Sequence, residues 1–326
     1  MFIKPIKPPL SIQVLEALVR RLSPMHPRID EIKEELRITK AGYRGEQSLD
    51  YFLGALSSKK YTIFHDLRLP FTPNTEPYYF QIDILLVCST HLLILEVKNY
   101  AGTLFFDREF SQLIQTKNNI EKSFTDPISQ AKRQQMLLIT WLKDHKFPKV
   151  PVEFLVVICG SNTIIKSSPG YSDTKQIVLH KENLFPKLQN LESKYKVEYL
   201  PPKDSRKLSK MLLAQHTPLY PTLQEKYSIT KSDLLMGVSC PDCFAIPMLR
   251  ERTRWKCFKC EQCSTDAHLF TLHDFAILIK CNPTVSEIQD FLQLSSRYIT
   301  YRLIAKSPFP RIDSKRYQIV SQEKLY

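Results

Sequence analysis

Glycine is scarce in this chain, at 7 of 326 residues, or about a third of the roughly 7% usual in globular proteins. A glycine-rich cradle for nucleotide phosphates is excluded, and no G-x-G-x-x-G or G-x-x-x-x-G-K-[ST] string occurs. Long hydrophobic runs are missing as well. None approaches the ~18 residues that span a bilayer; the runs at 84–87 and 92–95, for example, are of strand length and parted by Cys88-Ser89-Thr90-His91. The opening M-F-I-K-P-I-K-P-P-L is too short and too broken by proline for a secretory h-region. A cytoplasmic protein with no membrane partner is expected. In that setting the 8 cysteines argue against a disulfide framework and for metal binding wherever they cluster. Internal repeats and low-complexity tracts are also absent.

What is present is ordinary globular composition, 43% hydrophobic and 24% charged, in a chain long enough for two or three domains. Lys and Arg number 46 against 33 Asp and Glu, a net charge of +13. Residues 201–326 hold 19 of the bases and 12 of the acids, so the last third carries more than half of the excess. Residues 297–316 alone contain Arg297, Arg302, Lys306, Arg311, Lys315 and Arg316 against Asp313. Such a face invites a polyanion such as nucleic acid, although a solvated surface has the same composition.

Apolar spacing predicts helices over 11–22, 29–38, 45–56 and 127–143, the last with Pro127 in its first turn. Strands are expected over 61–69, 79–88, 91–97 and 154–159, a further hairpin over 102–116, and a Pro/Asn/Thr loop over 70–77. Helix, three strands, helix and strand make an α/β domain. The chain then divides into a helical extension (1–39), that domain (40–200), a linker with a short helix (201–234), a cysteine-rich module (235–272) and a small helical module (273–326).

The most informative stretch runs from Gln81 to Lys98. With Ser89-Thr90 as a two-residue turn, Asp83 faces Glu96 and Gln81 faces Lys98, and alternation puts all four on one side of the sheet. Directly opposed residues have Cβ atoms roughly 5 Å apart, where like charges repel. A divalent cation with a taste for hard oxygen, Mg²⁺ or Mn²⁺, supplies the compensation. Lys98 would hold or activate an attacking water, or stabilise charge at a phosphate. An ion-pair cluster without metal is the plainer alternative. Glu46, opening the helix at Gly45-Glu46, and Gln130, in the long helix after the hairpin, are the polar residues nearest in the expected fold.

The segments G-Y-R-G-E (42–46), Q-I-D-I-L-L-V (81–87), L-I-L-E-V-K-N-Y-A-G (93–102) and D-P-I-S-Q (126–130) resemble the nuclease-related domain family, NERD. That family is placed in the PD-(D/E)xK nuclease superfamily. The resemblance spans about residues 40–150 and implies a restriction-endonuclease-like mixed sheet flanked by helices. It makes Asp83 and Glu96 the metal-binding acids, Lys98 the catalytic lysine, and Glu46 and Gln130 the accessory polar positions. At Ile84, where many members carry His, no role is carried over.

Cys240-Pro-Asp-Cys243 and Cys257-Phe-Lys-Cys260, thirteen residues apart, form two C-x₂-C knuckles that suit one tetrahedral Zn²⁺. Four protein ligands leave no open position, so that zinc is structural; Cys263 is an alternative to Cys260. Arg250, Arg252, Arg254 and Trp255 suit a ribbon hairpin touching a phosphate backbone, and the module could instead dock a protein. Residues 284–304 have helix-turn-helix spacing and resemble the DNA-binding modules of bacterial regulators. Ser295 or Ser296 would cap the second helix, whose outer face would offer Arg297, Tyr298, Thr300, Tyr301 and Arg302 to DNA. A Mg²⁺-dependent deoxyribonuclease is the first expectation. A non-catalytic DNA-binding or protein-docking factor on a nuclease-like scaffold is the alternative.

Overall fold

The apolar runs between residues 61 and 97 become the middle of a sheet. In the computed structural model, which describes residues 2–56, 60–72, 78–219 and 221–319 (the Leu223 side chain excepted), the chain forms two units. The first comprises residues 1–7 and 41–219, the second residues 8–40 and 220–326.

The chain opens with β1 (Phe2–Lys4), followed by α1 (Leu10–Arg21) and α2 (Ile29–Gly54). α2 corrects the expectation of separate helices over 29–38 and 45–56. It is one helix of 26 residues, and Glu46 lies within it rather than opening it. The intervening K-A-G-Y-R-G contains no proline, and a helical glycine costs only about 1 kcal/mol. β2 (Thr62–Phe71), β3 (Tyr78–Val87) and β4 (Leu92–Lys98) follow. β2 runs on through Pro70 and Phe71, where a loop was expected; residues 73–77 of that loop lie outside the described residues.

Beyond β4 the expected hairpin is present as β5 (Thr103–Asp107) and β6 (Gln112–Lys117), extended by β7 (Ile120–Thr125). α3 (Pro127–Asp144) starts where Asp126 accepts the N–H groups of Ile128 and Ser129, a conventional N-cap with proline inside the first turn. The unit is completed by β8 (Val152–Ile158), β9 (Ile164–Ser167), α4 (Thr174–Ile177), β10 (Val178–His180), α5 (Leu184–Lys194) and α6 (Pro202–Gln215).

Six strands form a mixed sheet in the order β1-β2-β3-β4-β8-β10. β4 is central and antiparallel to β3, while β8 and β10 run parallel beside it. Residues 92–97 are all buried, as a central strand covered on both faces requires. On one face Leu138, Trp141, Leu208 and Leu212 from α3 and α6 pack on Phe64, Leu85 and Ile94. On the other, Leu49 and Leu53 of α2 and Leu184 and Leu188 of α5 cover Ile63, Ile84 and Leu95. A second, four-stranded sheet, β7-β6-β5-β9, packs Leu104 and Phe106 against α3, β8 and β10.

The second unit takes in α1 and the first part of α2, then α7 (Leu223–Lys226), a small antiparallel sheet of β11 (Leu249–Glu251), β12 (Arg254–Lys256) and β13 (Cys263–Ser264), and the helices α8 (Ala267–Leu278), α9 (Val285–Leu292) and α10 (Arg297–Ala305). Residues 235–272 and 273–319 share one core, in which Trp255 and Met248 join Phe275, Ile288 and Phe291. Arg21, with no exposed surface, is held by Asp274 Oδ2 at 2.9 Å and by the carbonyls of Leu235 and Gly237. Among the described residues no helix is long and apolar enough to cross a membrane.

Two outcomes follow from these contacts. Asp274→Ala leaves the Arg21 guanidinium buried without its counter-charge, so urea titration should show the second unit destabilised by about 3–5 kcal/mol. In the first unit His216 Nδ1 accepts the Arg68 N–H at 3.1 Å. Burial, helped by the Lys4 charge, pushes that ring down to about 4 from 6.5. The unfolded ring takes up its proton first, so this contribution is intact above about pH 6.5 and is lost as the pH falls towards about 4. The urea midpoint should drop between about pH 7.5 and 5, and drop less in His216→Gln.

Candidate active site and metal centre

The β3–β4 hairpin has the expected register: Val87 opposes Leu92, and Ile84 opposes Leu95. Cys88 N–H donates to the His91 carbonyl at 3.1 Å, closing the loop around Ser89-Thr90. Beyond Ile84 the ladder stops, because the Asp83 side chain takes the place of a backbone acceptor. Its Oδ2 receives the Val97 N–H at 2.8 Å. Gln81 therefore does not face Lys98. It pairs with Arg68 of β2, and its amide donates to Asp66 Oδ1 at 2.6 Å.

Glu96 has no exposed surface. Its Oε1 accepts Lys98 Nζ at 2.6 Å and its Oε2 accepts Gln134 Nε2 at 2.8 Å. Lys98 Nζ also donates to Gln130 Oε1 at 3.3 Å. Burial works against the Lys98 ammonium, but the Glu96 and Asp83 carboxylates outweigh it and raise its pKa. Lys98 is thus a fixed cation. Burial first, then the Glu96 charge, pushes the Asp83 carboxyl well above its ordinary range, against the opposing pull of Lys98 and the Val97 N–H.

Glu46 reaches this end of the sheet because α2 passes close to β4. Asn99 Nδ2 donates to the Ala41 carbonyl at 2.7 Å. A Cβ at Gly45 would stand 2.5 Å from the Asn99 Cβ, a separation that only glycine tolerates. Burial, then the charges of Asp83, Asp66 and Glu96, raises the Glu46 pKa strongly. Hydrogen bonds join Glu96, Lys98 and Gln130, and Glu46 and Asp83 stand near enough to feel the Glu96 charge, although among the described residues no three acidic groups converge as tightly as the four cysteines do.

Sequence reasoning missed two residues here. Gln134 is buried one helical turn after Gln130, and the i, i+4 spacing on one face of α3 was the available signal. Its Oε1 has no hydrogen-bond partner. Asp66 sits at the rung between the pairs His65–Ile84 and Leu67–Ile82 with φ 48°, a left-handed conformation that Asp adopts more readily than most residues. Lys4 Nζ donates to the His65 and Asp66 carbonyls at 2.8 and 2.7 Å. A regular strand reading contains no hint of that interruption.

In the second unit the Sγ atoms of Cys240, Cys243, Cys257 and Cys260 all lie within 4.8 Å of one another. The Cys240–Cys260 and Cys243–Cys257 separations are 3.6 and 3.5 Å. Tetrahedral zinc with Zn–S bonds of about 2.3 Å requires S···S separations of about 3.8 Å, so the thiols fit the ion. Cys263 is exposed, with its Sγ on the Glu261 carbonyl, and stands outside the set. Trp255 is in the core rather than free to touch a phosphate, with the Arg250 guanidinium 4.8 Å over its ring.

α9 begins with a Thr284–Glu287 capping box, and α10 with Ser296 accepting the Ile299 N–H. Arg297, Tyr298 and Arg302 are exposed on α10, and Tyr301 is half-buried against the core. Thr300 was expected on the outer face. It is fully buried, with its hydroxyl on the Ser296 carbonyl at 3.1 Å.

Residues 41–159 match the family model of the nuclease-related domain, NERD. This stretch carries every residue of the acidic site except Lys4. No curated protein and no solved structure matches the chain.

The thiol geometry sets a direct expectation. Metal analysis of purified protein should find one zinc per chain, lost in Cys257→Ser and kept in Cys263→Ser.

Proposed function

We propose that this protein is a metal-dependent nuclease that hydrolyses phosphodiester bonds of DNA, with a zinc-stabilised second unit that binds the duplex. The observation carrying this reading is the grouping of Asp83, Glu96 and Lys98 at the open end of one hairpin, with Glu46 and Gln130 against them. The donor set suits Mg²⁺ or Mn²⁺: hard carboxylate oxygens, two of which carry a raised pKa from burial and mutual repulsion. Asp83 and Glu96 would hold the ion, and Glu46 would stand beside it. Bound there, the ion would supply charge stabilisation at the phosphate.

Lys98, held as a cation, is a poor base for deprotonating water. Its role is to donate hydrogen bonds to the phosphate oxygens, or to the water, as negative charge builds up. Gln130 and Gln134 keep the ammonium and Glu96 in place from α3. On α10, Arg297 and Arg302 would meet DNA phosphates or base edges, with Tyr298 between them. The cysteine ribbon would have a folding role, since four thiolates fill the coordination of zinc.

A second reading, a DNA-binding or protein-docking factor with an inert scaffold, is favoured by one feature. Both Glu96 oxygens are already satisfied within the fold. The two readings separate in one assay with supercoiled, linear and single-stranded DNA, with and without Mg²⁺. The nuclease reading expects Mg²⁺-dependent cleavage that falls about 10²–10³-fold or more in Lys98→Ala and disappears in Asp83→Ala. Equal cleavage by wild type and both variants, or salt-dependent binding with no cleavage, would sink it.

A further inference from the structure

A cavity of about 1000 Å³ opens in the first unit along β10, the edge strand of the large sheet. Its walls come from β5 and β9 of the second sheet, from α4, and from α5. Its volume is at the upper end of the range usual for small-molecule sites, and none of the residues assigned to the acidic site lines it.

Three features define what it would accept. Lys166, Lys175 and Lys187 line it, no Asp or Glu does, and none of the three lysines makes an ion pair among the described residues. An uncompensated positive charge of this kind attracts an anion. Next, Phe105 is registered against Lys166 across the β5–β9 pair, and registered neighbours project on the same side of a sheet. Phe105 is half-buried and lines the cavity. A flat apolar surface thus adjoins a cation. Last, two lining groups lack hydrogen-bond partners: the hydroxyl of Thr174, a residue only 2% exposed, and Nδ1 of His180. Buried polar atoms are rarely left unpaired without a ligand or water to serve them.

The position adds to this. Ile158 of β8 is registered with Lys98 on one side and with His180 on the other. At about 4.8 Å between strands, the cavity rim at His180 stands roughly 10 Å from Lys98 along the same end of the sheet.

We propose that this cavity is a nucleotide subsite, with a base stacked on Phe105, its phosphate among Lys166, Lys175 and Lys187, and the Thr174 and His180 groups bonding the sugar or base edge. The occupant is one nucleotide unit, either free or part of a strand reaching the acidic site. Only the strand source rests on the nuclease reading above. Stacking of a base on an aromatic ring contributes about 1–3 kcal/mol in single-strand binders, and charge-assisted bonds to phosphate are of similar strength.

The test uses the full-length, zinc-loaded Asp83→Ala protein without added divalent cation, so that nothing is cleaved. Thymidine 5′-monophosphate, thymidine, inorganic phosphate and hexathymidylate are titrated by calorimetry. Thymidylate should bind, with thymidine and phosphate each weaker by about tenfold or more. Adding Lys166→Glu with Lys187→Glu, or separately Phe105→Leu, should weaken thymidylate by about tenfold or more while the thermal midpoint holds. A parallel loss for hexathymidylate identifies the strand as the source; a loss confined to thymidylate identifies a free nucleotide, and either upholds the subsite. No thymidylate binding, or binding that ignores all three substitutions, overturns it. Thymidylate binding in a protein that never cleaves DNA upholds the subsite and removes the nuclease reading, and cleavage without thymidylate binding does the reverse.

Discussion

A carboxylate with no access to water must be paid for in place, and Glu96 is the residue around which the first unit is arranged. Its two oxygens are matched by an ammonium from its own strand and an amide from α3. Losing either partner would leave a buried charge or an unpaired lone pair, costing several kcal/mol. That requirement keeps Lys98 protonated and ties α3 to the end of β4. Asp83 accepts the Val97 backbone N–H, and the hairpin opens where a ladder would otherwise continue.

The second unit relies on the same rule in another form. Arg21 is compensated by Asp274 and two carbonyls. The four thiols at the ribbon would be compensated by a cation of their own. In both units the polar interior is small and sharply placed, while the rest of the core is aliphatic and aromatic. Chemistry is therefore confined to a few positions, and the remaining packing serves to hold them there.

Much of this was legible in the residue order. Residues 91–97 announce a strand, the two-residue turn sets the register of Ile84 with Leu95, and the paired C-x₂-C knuckles foretell the convergence of four thiols. What escaped was whatever depends on contacts between distant segments. Within α2, Gly45 lies against Asn99, a contact that no local propensity reports. Asp66 reads as an ordinary strand residue until β3 is placed beside it. Thr300 reads as an outer-face residue because its hydroxyl is polar, yet it bonds to a carbonyl one turn back within α10 and so can be buried. The cavity on β10 combines residues from 105 to 187, and no spacing along the chain brings them together.

The order in which the chain visits its two units has a further meaning. Residues 1–7 begin the first unit, residues 8–40 belong to the second, and the first is finished before the second resumes at 220. During synthesis α1 therefore emerges with Ile29 and Ile32 of α2, long before Tyr227, Ile229, Leu234 and Leu278 complete the cover of its apolar stripe. Removing the C-terminal third would leave that stripe partly uncovered instead of yielding a clean nuclease-like half. The two units are separable in their cores but interlocked in their connectivity. Neither can be gained, lost or exchanged as a single cassette without reworking the first forty residues.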